Sequence, residues 1–341
     1  MSSITLFGAG SWGTALSVHL ASAGRDVVLW ARRPEVVEEI HRTSRNPTYL
    51  PELLIPSSVQ ITTDIEEAAK ASDLWGIAVP SQKLRGRMEA LRPFAHENVR
   101  LVALSKGIEN ETLLTMSQVL NDVFEAVPQG QIGALYGPSH AEEVAEGRPT
   151  AVVAAAPEEA EAQRIQKTFM TERLRVYISM DVLGVEIGGS AKNVLAIAAG
   201  IADGISYGDN AKAALVTRGL AELRRLGRAL GADPQTFSGL AGVGDLVVTC
   251  MSRHSRNRYL GEQIAAGKSF EEVHSEMEMV AEGVRTTRSV YNLAKRHGIE
   301  MPITEAVHAI LFDDESPRKM VKRLMTRSAK HENWLPAPQE H

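Results

Sequence analysis

A short apolar run, Ile4-Thr5-Leu6-Phe7, leads directly into Gly8-Ala9-Gly10-Ser11-Trp12-Gly13, and no other junction restricts the chain as much. Three glycines at G-x-G-x-x-G spacing suit a strand that turns sharply into a helix. The first makes the tight turn, the second lets the backbone come close to a pyrophosphate, and the third lets helix and strand pack closely. Beyond the turn, Ala15, Leu16, Leu20 and Ala23 form a helical stripe, Gly24 ends it, and Asp26-Val27-Val28-Leu29-Trp30 reads as a second strand. Strand, turn, helix and strand together make a dinucleotide-binding unit, with the N–H groups of the helix start turned to the phosphates. Gly8, Gly10 and Gly13 are therefore expected cofactor contacts.

The end of that second strand bears on which dinucleotide binds. A site selective for NAD places an acidic residue there to hold the ribose 2′-hydroxyl, whereas this chain has Ala31-Arg32-Arg33. Two guanidinium groups can pair with a 2′-phosphate, or they can be an ordinary solvated pair at a strand end. The first reading favours NADP(H), with NAD(H) as the alternative.

Apolar runs then alternate with helical patterns: Leu74–Val79, Leu101–Leu104, Ile132–Leu135, Thr150–Ala154 and Arg175–Ile178 are further strands, and Pro157-Glu158 opens the helix between the last two. Such alternation implies a parallel sheet with helices on both faces. From Asp181 the pattern is helical throughout, over 182–202, 209–231, 256–266, 286–297 and 303–312. The expected organisation is an α/β Rossmann-type dinucleotide-binding domain over 1–180, an all-helical domain over 181–330, and an unstructured tail over 331–341 that contains Pro336 and Pro338. A length of 341 residues with 44% apolar content is enough for two packed domains. A net charge of −5 without a basic arm gives no footprint for nucleic acid. Cys250 is the single cysteine, and nothing before Ile4 reads as an export leader, so a cytoplasmic location is expected. The stretch from Val194 to Ile205 is interrupted by Gly200, Asp203 and Gly204 and is too short for a bilayer, so it is expected to be a buried helix and the chain not to be membrane-embedded.

In an open parallel sheet the ligand lies beyond the carboxyl ends of the strands. Three loops occupy that place: Pro80-Ser81-Gln82, Ser105-Lys106-Gly107 and Tyr136-Gly137-Pro138-Ser139. Lys106 suits an anionic substrate or cofactor, or is a surface lysine; Gly137 and Ser139 offer backbone and hydroxyl donors, or form a plain turn. The second domain opens with Gly188-Gly189-Ser190-Ala191-Lys192-Asn193, whose small residues let a helix sit deep between others. A lysine buried there needs a partner or loses its proton, and in the latter form it is a competent general base. Asp245, in a glycine-lined turn, is suited to orienting Lys192 or to accepting from a substrate hydroxyl. Ser255 is a helix N-cap, and with Arg256 it makes a phosphate site in which the guanidinium supplies charge and the helix start supplies direction. His254 beside it reads as solvated.

Taken in order, GAGSWGTA at the start, AVPSQ from Ala78, SKGIE from Ser105, YGPSHAEE from Tyr136, SAKNVLAIAAGIADG from Ser190, GLAGVGDLVVTC from Gly239, SRNR from Ser255 and AEGVRTT from Ala281 make the chain similar to the bacterial-type NAD(P)-dependent glycerol-3-phosphate dehydrogenases, from Ile4 to about residue 330. The resemblance implies reversible reduction of dihydroxyacetone phosphate to sn-glycerol 3-phosphate, as a supply for phospholipid synthesis, with no metal. It also implies a second domain of the 6-phosphogluconate dehydrogenase C-terminal type, and it is compatible with a homodimer. Carried over by motif, Lys192 is the proton acceptor and donor. Lys106, Gly137, Ser139, Lys192, Asp245, Ser255, Arg256 and Asn257 are substrate contacts, while Ser11, Trp12, Arg32, Arg33, Lys106, Ala141, Arg256, Val280 and Glu282 are cofactor contacts. Met251-Ser252-Arg253-His254 departs from the family pattern, where smaller or apolar residues precede Ser-Arg-Asn. A related hydroxy-acid dehydrogenase would lack the GLAGVGD and SRNR pair, and a redox-inactive NADP(H) sensor would have no use for Lys192.

Overall fold

The computed structural model describes residues 3–276, 282–329 and 331–332. Among the described residues ten strands occur, β1 (Ser3–Phe7), β2 (Asp26–Trp30), β3 (Arg45–Asn46), β4 (Leu50–Leu54), β5 (Val59–Thr62), β6 (Leu74–Ile77), β7 (Arg100–Ala103), β8 (Ile132–Tyr136), β9 (Thr150–Ala155) and β10 (Leu174–Ser179). Between them run α1 (Ser11–Ser22), α2 (Pro34–Thr43), α3 (Ile65–Lys70), α4 (Leu84–Met88), α5 (Met116–Val123), α6 (Ala141–Ala145) and α7 (Glu159–Phe169). Eight strands form one sheet in the order β10-β9-β8-β7-β6-β1-β2-β5, and β3 pairs only with β4. The described chain divides into two compact units, the first ending at Glu186 and the second running on from Ile187 with the short segment Asn110–Leu113 added to it.

The sheet is not wholly parallel as the alternation implied, because β8 and β9 pair antiparallel. The cause lies in α6, which has only five residues. It spans about 7 Å, whereas a parallel neighbour would require the chain to travel back the full length of β8, about 17 Å. The chain therefore re-enters the sheet in the opposite sense, and α7, an eleven-residue crossover, restores parallel pairing between β9 and β10. Strand β5 and the β3–β4 hairpin were not expected from the sequence. The first is a four-residue edge strand, too short for its alternation to register, and the second pairs a two-residue strand, Arg45-Asn46, with one that Pro51 interrupts, so no regular period marks it. Ile4, Leu6, Leu16, Leu20, Val27 and Leu29 meet in the core beneath the first turn. Phe7 sits between Trp30 and Trp75, with ring centroids 6.0 and 5.5 Å away.

The second unit is helical throughout its described residues: α8 (Val182–Gly204), which begins just within the first unit, α9 (Gly208–Ala229), α10 (Asp245–Met251), α11 (Arg256–Ala265), α12 (Phe270–Glu276), α13 (Glu282–Arg296), α14 (Pro302–Phe312) and α15 (Pro317–Met325). Gly200, Asp203 and Gly204 do not interrupt α8, which at 23 residues is long and apolar enough to cross a membrane. The expectation of a stretch too short for a bilayer is corrected to that extent. The helix is nonetheless core, since 89% of its most apolar window is buried inside the protein. Its glycines are contact points. A Cβ on Gly200 would lie 1.9 Å from the Arg258 carbonyl oxygen, and one on Gly261 would lie 2.1 Å from that of Ile197, so α8 and α11 cross backbone to backbone.

Candidate functional site

The three glycines of the first turn divide by what surrounds them. Gly8 has φ +123°, and a Cβ there would lie 2.4 Å from the Ala78 carbonyl oxygen; one on Gly13 would lie 1.9 Å from the oxygen of Gly8. Both glycines are required by the protein's own packing. Gly10 is different, because a Cβ there would meet nothing within 4 Å. No neighbour among the described residues demands a glycine at that position, whereas a ligand backed against the loop would. Gly10 is also the N-cap of α1, which has no side-chain cap and no acidic residue in its first turn, the one containing Ser11, Trp12 and Gly13. An open glycine at an uncapped, uncharged helix start fits a pyrophosphate.

At the end of β2, Ala31 is buried and Arg32 and Arg33 are exposed. Arg33 donates to the Tyr49 hydroxyl at 3.3 Å, with its guanidinium 6.0 Å from the ring centre. Arg32 pairs with no carboxylate among the described residues. Arg87 on α4 adds a third guanidinium, with a buried Nε that has no partner among the described residues; burial first, and the charge of Arg32 second, hold its pKa below the ordinary arginine value. Tyr49 and Arg87 carry no motif that a single sequence would flag. Tyr49 sits in a hairpin of no marked periodicity, and Arg87 looks like one more surface cation after Lys83 and Arg85.

The strand-end loops bring Lys106, Gly137 and Ser139 together. Lys106 Nζ donates to the Gly137 carbonyl at 2.8 Å and Ser139 Oγ donates to the same oxygen at 3.0 Å. Gly137 has φ +144°, and a Cβ there would lie 2.9 Å from Val152 Cα, so only glycine places its carbonyl in this way. Ser105 Oγ fixes the neighbouring loop by donating to the Val79 carbonyl at 2.5 Å. Ala141, the first residue of α6, is buried against Ala15 and Leu50.

In the second unit, the GLAGVG segment serves to place a carboxylate. A Cβ on Gly188 of α8 would lie 2.6 Å from the Ala241 carbonyl oxygen, and one on Gly242 would lie 2.1 Å from that of Phe237. The turn is thereby pressed onto α8. Four residues further along each segment, Lys192 meets Asp245. Lys192 is 6% exposed and Asp245 is 0% exposed. Lys192 Nζ donates to Asp245 Oδ1 and, at 2.7 Å, to Thr249 Oγ1, while the Thr249 hydroxyl donates to the Asp245 backbone carbonyl at 2.6 Å. The buried ammonium is thus matched by one carboxylate and oriented by one hydroxyl. Cys250 beside it is inert: burial pushes its thiol up to about 12.

Ser255 caps α11, accepting from the Arg258 N–H at 3.2 Å. Arg256 at the first helical position is exposed and has no hydrogen bond or ion pair among the described residues. Asn257 is buried, and its Oδ1 accepts from the Gly283 N–H at 2.9 Å, which ties the start of α11 to that of α13 and to Glu282. Arg258 pairs with Asp203 at 2.7 Å and Glu262 at 2.6 Å, and Lys212 joins Asp203 at 2.5 Å, fixing α11 against α8. His254 is exposed, and Val280 lies outside the described residues.

Family models described as the N-terminus and the C-terminus of NAD-dependent glycerol-3-phosphate dehydrogenase match residues 3–162 and 181–322. A glycerol-3-phosphate dehydrogenase [NAD(P)+] of Salinibacter ruber is 87% identical over 336 residues, covering 98% of each chain. One from Chlorobium phaeobacteroides is 52% identical, over 96% of this chain and 98% of its own. A crystal structure of glycerol-3-phosphate dehydrogenase from Coxiella burnetii superimposes with a TM-score of 0.91 at 37% identity, over 96% of this chain and 99% of that one.

Proposed function

This chain belongs to the NAD-dependent glycerol-3-phosphate dehydrogenase family, and from that premise we propose that it reduces dihydroxyacetone phosphate reversibly to sn-glycerol 3-phosphate, with NADP(H) favoured and NAD(H) accepted. The observation that carries the reading is the buried Lys192–Asp245–Thr249 group, a proton donor held in one orientation on a buried, mostly apolar helix. A sensor without redox chemistry has no need of it.

Reducing a ketone adds a hydride to carbon and a proton to oxygen. The bound nicotinamide supplies the hydride, or accepts it in the reverse direction. The chain supplies the rest. Lys192, as the ammonium, gives the proton to the carbonyl oxygen and stabilises the charge developing there; as the amine it takes the proton back from the alcohol. Asp245 and Thr249 aim Lys192 by accepting two of the hydrogen bonds of its Nζ. The substrate phosphate is held by Arg256 at the Ser255-capped helix start, with Asn257 beside it, so that remote binding energy goes into orientation. Lys106, Gly137 and Ser139 contact the substrate, and Lys106 also the cofactor. Gly8, Gly10 and Gly13 shape the pyrophosphate loop, with Ser11, Trp12, Ala141, Glu282 and Val280 as further cofactor contacts. Arg32 and Arg33 receive the 2′-phosphate. The product is available for phospholipid synthesis, and the setting is the cytoplasm, whose reducing poise suits one buried, free thiol.

The test is NADPH oxidation followed by absorbance, with dihydroxyacetone phosphate and, separately, dihydroxyacetone. Rapid oxidation with the first and very slow oxidation with the second is the expected result. Oxidation of NADPH by neither compound overturns the reading, and equal rates with both overturn the phosphate site at α11.

A further inference from the structure

Asn46 lies in the β3–β4 hairpin, far along the chain from the glycine loop, yet its side chain is completely buried against that loop. Its Nδ2 donates to the Ala9 carbonyl and to Thr14 Oγ1, both at 3.0 Å. Its Oδ1 is buried with no partner among the described residues. Leaving an amide oxygen unpaired is costly, and packing alone would be better served by an apolar side chain of the same size. What this site keeps is the donor.

Ala9 stands between Gly8 and Gly10, where the choice of which groups face a bound diphosphate is made. Peptide units there can present either N–H groups, which attract an anion, or carbonyl oxygens, which repel it. We propose that Asn46 is a positioning residue for the dinucleotide: by drawing the Ala9 carbonyl inward and bridging it to Thr14 on the first turn of α1, it fixes the loop in the form that receives a pyrophosphate. The same hairpin grips the site at two other points, since Tyr49 accepts from Arg33, and Leu50 packs on Ala15 beside Trp12. The hairpin is thus a clasp on the nucleotide loop, with Asn46 as its polar contact.

The inference rests on the dinucleotide reading given above, and the test separates the two. Dissociation constants of the full chain for NADPH, NADH and adenosine 2′-monophosphate are measured by calorimetry for the wild type and for Asn46→Asp. That variant keeps the shape but sets an oxygen against the Ala9 carbonyl. Loss of a donor to a buried acceptor is expected to weaken NADPH and NADH alike, by about tenfold or more. Adenosine 2′-monophosphate, which has no pyrophosphate, is expected to bind as it does to the wild type. An equal loss for all three would make Asn46 a support of the whole unit and overturn the proposal, as would no change for the two dinucleotides. Thr14→Val, which deletes only the second acceptor, is expected to weaken both dinucleotides by a smaller factor, and it carries the test if Asn46→Asp does not fold; unchanged constants in Thr14→Val would then overturn the proposal. A wild type that binds neither dinucleotide overturns the reading beneath it.

Discussion

Arg32 stands exposed at the end of β2 and pairs with no carboxylate among the described residues, while Arg33 is engaged by Tyr49 and Arg87 is close enough for the charge of Arg32 to lower its pKa. Three cations with so little counter-charge favour a doubly charged phosphate over a ribose hydroxyl. Arg32→Ala is expected to raise the KM for NADPH by about tenfold or more, the value of a charge-assisted hydrogen bond, and to leave that for NADH nearly unchanged. Steady-state kinetics with both cofactors check this, and equal losses would mean that Arg32 serves the adenine or the fold. Of these residues only Arg32 and Arg33 were legible in the sequence, because the rule that finds them is local: an acidic residue is missing where a strand ends. Tyr49, Arg87 and Asn46 become visible only when a hairpin and a helix from elsewhere in the chain are folded against the same loop.

Among the elements, α8 and its neighbours account for how Lys192 is placed. Gly200 lets the Arg258 backbone approach so closely that a methyl group has no room. Gly200→Ala is expected to destabilise the protein by about 1–3 kcal/mol or more, read as a lower melting temperature. An unchanged melting temperature would mean that the helices can part at no cost. Helix α14 is held differently. Glu222, fully buried on α9, accepts from the N–H groups of Ile303 and Thr304 at 2.6 and 3.1 Å, and burial pushes its carboxyl up to about 7. A folded-state pKa raised above the unfolded value means that the folded form holds the proton more tightly. The stability linked to Glu222 is therefore fully present below the ordinary carboxylate range and is lost as pH rises to about 7. A shift of that size corresponds to about 3 kcal/mol. Melting temperatures from pH 5 to pH 8 are expected to show a falling component that Glu222→Gln removes, and an identical pH profile in the variant would contradict the assignment. The element pattern in the sequence placed α8 over 182–202, within two residues of its observed end at Gly204, but took Gly200, Asp203 and Gly204 as interruptions, whereas glycines that would end an exposed helix are stabilised here by close packing. It also read β9 as parallel, where the strand pairs antiparallel with β8, since apolar alternation is the same in either sense and the short α6 decides it.

At the scale of the whole molecule, the order of motifs along the chain sufficed for the fold class and the family, since a glycine turn, a lysine helix and a capped Ser-Arg-Asn start are each written in contiguous residues. The pairing of Lys192 with Asp245 was legible only as one of two options. Choosing between them required the glycine contacts that bring the two segments into register. The central claim is that this buried lysine carries the proton while the nucleotide is bound by other residues. Lys192→Ala, assayed for kcat with dihydroxyacetone phosphate and for NADPH binding by calorimetry, tests it most directly. The account gives a fall in kcat of roughly 100- to 10,000-fold, the usual value of a general acid and base, with NADPH affinity little changed. A variant that kept more than about a tenth of the wild-type kcat, outside that range, would contradict it.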